Sequence, residues 1–212
     1  MKRCLLLLCF LCPSAALAQD RLTDFDTASR HFWQSLYPAG GWTLYCGLRF
    51  ENGGNGDGVM ATIDHIYPMP RVYKKLHCGS RLRCKQKRAE EYNPIESDLH
   101  NMYPASGTLI VARADTLFGE VDGGESRYRD CDFKRSRRTV EPRDIAKGNI
   151  ARALLYMHAE YGLPLREDIE LLKAWSRADP PSDQEMSRND VIERIQGNRN
   201  PFIDEPERVE RF

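Results

Sequence analysis

Four cysteines, Cys46, Cys78, Cys84 and Cys131, remain once an export signal is removed from this chain, and they constrain its fold more than any other feature. Lys2 and Arg3 precede an apolar run over residues 4–12. The run is too short to span a bilayer as a mature helix, and the small residues Ala16 and Ala18 stand where a signal peptidase reads. Cleavage is expected after Ala18, with residues 1–18 as the signal and 19–212 as one mature domain. An even number of cysteines in an oxidising compartment predicts two disulfides. Of the three possible pairings, Cys78–Cys84, a short loop, is favoured, with Cys46–Cys131 as the second bridge. A zinc site using these cysteines with His77 competes with that reading, but no second Cys/His pair stands at finger spacing.

The mature length suits a single domain with its own core. No other apolar run is long enough to cross a membrane, so no membrane is expected as a partner of the mature form. Removing Lys2 and Arg3 leaves 29 basic against 31 acidic residues, a net of −2. That balance does not announce a polyanion binder, but the distribution is uneven. Residues 71–88 (RVYKKLHCGSRLRCKQKR) carry many Lys and Arg and no acid, and residues 134–138 (KRSRR) add four more cations. A segregated basic surface can hold a polyanion despite overall neutrality, although such runs are also common on plain solvated loops.

Hydrophobic periodicity predicts an amphipathic helix over residues 22–37, from Leu22, Phe25, Ala28, Phe32, Trp33 and Leu36. Short strands are expected at 42–46 and 60–67, with the polar, glycine-rich segment 51–58 a loop between them. Residues 69–97 read as a long basic loop pinned by Cys78 and Cys84. Residues 108–112 look locally like a strand, and 119–141 like loops and strands. A helix is expected over 145–161, with Ile150, Leu154, Leu155 and Met157 on its apolar face and Gly162 as its stop. A second follows at 165–175, and a third starts from a Ser187 cap and runs to Ile195. The tail from Gln196 reads as turns. Without repeats or an internal linker, the chain is expected to form one mixed α+β domain.

Three features carry chemistry. Asp64-His65 places a carboxylate beside an imidazole. A neutral histidine can take a proton from water, and a carboxylate is a suitable hard ligand for magnesium. So short a motif is more often structural than catalytic. The cluster Asp98-Leu99-His100-Asn101 gathers polar groups that can orient one another or a neighbouring histidine. Arg81 and Arg83 lie inside the Cys78–Cys84 segment, and arginine matches phosphate oxygens in a two-pronged geometry. Arg113 could do the same, and Arg71, Lys74, Lys75 and Arg83 are the candidate backbone contacts to nucleic acid.

Taken in order, the motifs LYCG (44–47), DHIYP (64–68), IESDLHNMYP (95–104), ARAD (112–115), FGEV (118–121), CDF (131–133), VEPR (140–143), KGNIARALLYMHAEYGLPL (147–165), DPPS (179–182) and RNDVIERIQGNRNPFID (188–204) resemble the bacterial endonuclease I family of periplasmic and secreted nucleases. The resemblance covers roughly residues 28–204. It implies a ββα-metal (His-Me finger) active site embedded in the α+β domain. It also implies cleavage of DNA, and often RNA, with little sequence preference, magnesium as the usual ion and products carrying 5′-phosphates. Indifference to sequence suits a protein that grips the sugar-phosphate backbone rather than base edges.

Carried over residue by residue, the resemblance makes His65 the general base and Asp64 the metal-binding carboxylate, on a shorter arm than the family's glutamate. Arg81 falls on the arginine that supports the scissile phosphate, while His100, Asn101 and Arg113 fall on residues that support the site. The resemblance makes 108–112 part of a helix. It also marks a departure: the family's second metal ligand is an asparagine, and here that position is Ile110, which has no donor atom. Ile63 replaces a tryptophan and Leu48 a second cysteine. The expectation is an exported, monomeric, magnesium-dependent endonuclease, periplasmic or secreted. The alternative is a paralogue that binds nucleic acid without cutting it, and a disulfide-stapled interaction module is the remaining reading.

Overall fold

The computed structural model describes residues 21–56, 60–123, 128 and 131–212. The export signal expected at residues 1–18 lies outside these. Helix α1 (Phe25–His31) starts from Asp24, whose side chain accepts from the Thr27 amide, and the helix continues with π geometry over Phe32–Leu36. The predicted 22–37 helix is thus present, buried through Ala28 and Phe32. Two-residue strands β1 (Gly41–Trp42) and β2 (Arg49–Phe50) pair antiparallel, so the strand expected at 42–46 gives way to a turn after Trp42. The glycine-rich segment is not fully irregular: Asn52–Gly54 forms one 3₁₀ turn.

Strand β3 (Ala61–His65) carries the Asp-His pair. The segment expected to be a basic loop is instead three short helices: α2 (Met69–Lys75), α3 (Arg81–Lys87) and α4 (Ala89–Glu96). Lys, Arg, Gln and Glu are good helix formers, and charge says nothing against a helix whose other face is covered. Val72, Leu76, Cys84, Tyr92 and Ile95 supply that covered face, and Ser80 caps α3 by accepting from the Arg83 amide. Strand β4 (Met102–Ser106) pairs antiparallel with β3, placing Asp64 opposite Tyr103 and His65 opposite Met102. Helix α5 (Gly107–Arg113) follows directly, so 108–112 is helical as the family resemblance implies and not the strand its residues suggest locally.

Strands β5 (Leu117–Phe118), β6 (Lys134–Arg135) and β7 (Thr139–Glu141) make a third small sheet, with β7 in the middle, parallel to β5 and antiparallel to β6. Helix α6 (Asp144–Tyr161) is the central element. Ile150, Leu154, Leu155 and Met157 are fully buried as expected, and Gly162 ends the helix at φ 60°. Arg152 is buried in the same helix, paired with Glu185.

Helix α7 (Ile169–Ala178) begins later than expected, at an Asp168 cap. Helix α8 (Asp183–Gln196) is capped by Ser182 and not by Ser187, because Ser182 and Glu185 close a reciprocal capping box just past the two prolines. The tail is not only turns: α9 (Pro201–Asp204) starts from an Asn200 cap, and Pro206–Arg211 forms a 3₁₀ turn.

The main core surrounds α6, while Ala28, Phe32, Leu99, Met102 and Ile192 form a smaller cluster. Both predicted disulfides are present, Cys46–Cys131 and Cys78–Cys84, which removes the zinc reading of these sulfurs. Among the described residues no helix is long and apolar enough to cross a membrane. The molecule is a mixed helix-and-strand, α+β domain.

Candidate active site

The end of β3 is held from three sides. Asn101, just before β4, accepts from the Tyr67 amide through Oδ1 at 2.6 Å and donates through Nδ2 to the Tyr67 carbonyl at 3.2 Å. Arg113, at the end of α5, donates to the carbonyls of His65 and Ile66 at 2.7 and 3.2 Å. The β3–β4 ladder supplies the third side. Asn101 and Arg113 therefore hold the backbone that carries and follows His65. Helix α5 contributes Arg113 from its last turn only because β4 runs straight into it.

His65 is half-buried, and its Nε2 lies 2.8 Å from the backbone carbonyl of Glu96. Burial is the largest influence on its imidazole and pushes the pKa below the ordinary value, against the opposing pull of that carbonyl and of the Asp64 charge. The ring is accordingly neutral near pH 7.

The Glu96 side chain organises the cations. Its Oε1 accepts from Arg81 Nε at 2.5 Å and from the Tyr92 hydroxyl at 2.7 Å, while Oε2 lies 3.1 Å from Lys85 Nζ. Burial alone would raise the Glu96 carboxyl, but hydrogen bonds from Arg81, Tyr92 and Lys85 outweigh it and hold the group below the usual range. The Arg81 side chain is 51% exposed and that of Glu96 3%, so the guanidinium is anchored from beneath with its remaining N–H groups open to an anion. The Arg81 guanidinium sits 5.0 Å from the centre of the Phe25 ring, which in turn lies 5.8 Å from the His65 ring. The Cys78–Cys84 bridge and the Ser80 cap fix the start of α3, where Arg81 stands.

Asp64 is buried beside His65. Arg113 Nη2 donates to its Oδ1 at 2.9 Å and the Tyr45 hydroxyl to its Oδ2 at 2.5 Å. Burial would lower the Arg113 pKa, but the Asp64 charge outweighs it and raises the group. Among the described residues no three His, Cys, Asp or Glu side chains gather as a metal cage. A carboxylate offers about four acceptor positions, and two are taken here. The two positions left for a hard cation are on a side chain only 4% exposed and paired with Arg113. Ile110 is half-buried and packs against the main core, adding no donor. Asp115 is engaged by Arg71 at 2.6 Å and Arg166 at 3.7 Å, and so stands with a different group.

The remaining sequence candidates divide. Lys74, Lys75 and Arg83 are exposed on α2 and α3. Arg71 is not a surface cation: it is buried, held by Glu167 at 2.9 Å and Asp115 at 2.6 Å, because α2 turns this residue inward. His100 is buried, with Nε2 3.2 Å from the Asn198 carbonyl and its ring 4.6 Å from that of Tyr156. Sequence reasoning missed Glu96, Lys85, Tyr45 and Phe25 as site residues. Glu96 and Tyr45 stand inside motifs already singled out, IESDLHNMYP and LYCG, and that was the available signal. Lys85 stood in the basic run 71–88, while Phe25 was visible only as an apolar position of the first helix.

The end of β3 thus brings an imidazole with one uncommitted nitrogen near two anchored cations, Arg81 and Lys85, and a buried carboxylate. The chain belongs to the Endonuclease I family, whose model matches residues 26–207. It is 34% identical over 230 residues to an extracellular deoxyribonuclease of Aeromonas hydrophila, covering 96% of this chain and 98% of that protein. A periplasmic deoxyribonuclease of the same organism is 37% identical over 149 residues, covering 66% of this chain and 62% of that protein. An extracellular ribonuclease of Bacillus subtilis is 35% identical over 137 residues, covering 52% and 44%.

Proposed function

We propose that this protein is a metal-dependent endonuclease that hydrolyses phosphodiester bonds of DNA with little sequence preference, with RNA as a second substrate. It is periplasmic or secreted, like the extracellular and periplasmic deoxyribonucleases it resembles. The observation that carries the reading is the His65–Glu96 contact. A carbonyl oxygen only accepts, so Nε2 holds the ring proton and Nδ1 keeps a lone pair for the proton of an attacking water.

Strands β3 and β4 with helix α5 supply the strand–strand–helix unit of a His-Me finger. His65 acts as the base at the end of the first strand. Arg81 stabilises charge that grows on the phosphate as the water attacks, and Lys85 adds to the local field. Asp64 would hold the divalent ion, magnesium first among candidates, and when bound the ion relieves charge on the phosphate and the leaving oxygen. Asn101 and Arg113 keep the strand in place, and His100 supports the site. Lys74, Lys75 and Arg83 extend a positive track for the backbone as the protein acts as a monomer.

Plasmid digestion by the oxidised mature protein across magnesium, manganese and calcium tests this, with EDTA and His65→Ala as controls. Metal-dependent cutting lost by roughly 100- to 10,000-fold in His65→Ala is expected, and unchanged cutting by a folded His65→Ala protein would end the reading. Ile110 favours a second reading, a paralogue that binds nucleic acid without cutting it. DNA retarded on a gel but left intact by the wild-type protein would establish that one.

A further inference from the structure

The turn between β6 and β7 is a cluster of charge that the catalytic reading does not use. Arg135, Arg137 and Arg138 are all exposed there, and among the described residues none of them meets a carboxylate. The adjacent Glu141 is committed to Lys134 at 3.3 Å and Lys147 at 3.1 Å. Asp132, upstream of the turn and exposed, leaves the tip with a net positive charge.

The turn is ordered by its own hydrogen bonds. The Ser136 amide donates to the Thr139 carbonyl at 2.9 Å. The Ser136 hydroxyl oxygen accepts from the amides of Thr139 at 3.0 Å and Arg138 at 3.3 Å. The Leu117 amide ties the Arg138 carbonyl to the edge of the sheet at 3.3 Å. Three guanidinium groups are thus presented on a preformed scaffold, which lowers the ordering cost of binding.

That scaffold is also joined to the catalytic strand. Cys131 is bonded to Cys46. The neighbouring Tyr45 packs its ring 5.6 Å from Phe133 and donates to Asp64. The arginine turn therefore cannot drift relative to β3 without breaking this connection.

We propose that the β6–β7 turn is a second phosphate-binding element, in which Arg135, Arg137 and Arg138 contact the nucleic-acid backbone outside the His65–Arg81 cluster. The inference rests on the reading of the protein as a nuclease. The favoured occupant is a nucleic-acid strand and not an anionic lipid surface. The turn carries no large apolar side chain over 134–139 to enter a bilayer, as an interfacial anchor requires. Arginine forks also match phosphodiester oxygens without reading bases.

The test is the salt dependence of binding to a short DNA duplex, read by fluorescence anisotropy in EDTA so that nothing is cut. Each backbone contact contributes about 0.9 to the slope of log affinity against log salt. Replacing Arg135, Arg137 and Arg138 together by Gln is expected to flatten that slope by roughly 2–3, and replacing them by Lys to leave it near the wild-type value. If the triple Gln protein loses its near-ultraviolet dichroism, Arg137→Gln alone still predicts a drop of about 0.9. A wild-type slope in the folded Gln variants overturns the inference while leaving the nuclease reading intact. A wild-type protein that binds no DNA overturns both. Loss of binding to phosphatidylglycerol vesicles in the Gln variant, with the DNA slope unchanged, assigns the turn to lipid and overturns the inference.

Discussion

Nε2 of His65 lies 2.8 Å from the carbonyl oxygen of Glu96, and the carboxylate of the same Glu96 grips Arg81 at 2.5 Å. One residue thus orients the base through its backbone and a cation through its side chain. The two roles are chemically separable, because a substitution at Glu96 alters the carboxylate and leaves the carbonyl.

Glu96→Gln is therefore expected to lower kcat roughly tenfold, the cost of a mispositioned cation, and to move the acid limb of the pH–rate profile to lower pH, because the Glu96 charge raises the His65 imidazole while the carbonyl bond is kept. Steady-state kinetics across pH on a fluorescent oligonucleotide check this. An acid limb that moves to higher pH would contradict these contacts.

The pH profile itself follows from burial of the imidazole. Burial pushes the His65 pKa below the ordinary 6.5, and the neutral form is the active base. Activity should rise with pH through a midpoint below 6.5 and then level off. A midpoint above 6.5 would contradict the assignment, unless ion binding is shown to cause it by repeating the profile at saturating metal.

His100 makes a stability prediction of defined sign. Burial pushes its imidazole down to about 4 from the ordinary 6.5, so the fold holds the neutral ring. That contribution is complete above pH 6.5, declines as pH falls because the unfolded chain takes up a proton first, and is exhausted below about 4. It amounts to roughly 3 kcal/mol in the limit. Denaturant midpoints between these pH values should fall more steeply for the wild type than for His100→Gln, and equal slopes would remove the effect.

Ile110→Asn should strengthen metal binding. Position 110 is half-buried on α5, the helix that brings Arg113 to Asp64. A second oxygen donor there should raise magnesium affinity by at least tenfold, about 1.4 kcal/mol, read by calorimetry and accompanied by faster cutting. Unchanged affinity would mean that Asp64 is not where the ion sits.

Much of the site was legible because its residues cluster in sequence. Asp64 with His65 and Asp98 through Asn101 each form a short run whose polar content stands out, and the order of motifs identified the family. The two disulfides followed from cysteine count and compartment. Glu96 was harder to see. Its importance lies in contacts to residues 31 and 15 positions away, and no local pattern reports where a backbone carbonyl will point. Arg71 shows the converse: its charge run marked it as surface, and only the packing of α2 against Glu167 and Asp115 shows it to be an internal ion pair.

The sequence by itself determined the kind of protein: a mixed α+β fold with two bridges, a histidine–carboxylate pair, and a long helix ending at Gly162. These are short-range facts, written in periodicity, capping and composition. The tertiary structure decided which groups meet. It folded residues 69–97 into three helices because their apolar faces had a core to cover. It set the tautomer of His65 through a carbonyl from another element. It also left three arginines on one ordered turn without acidic partners among the described residues. Such outcomes depend on long-range packing, where the surroundings of a side chain are supplied by residues far along the chain.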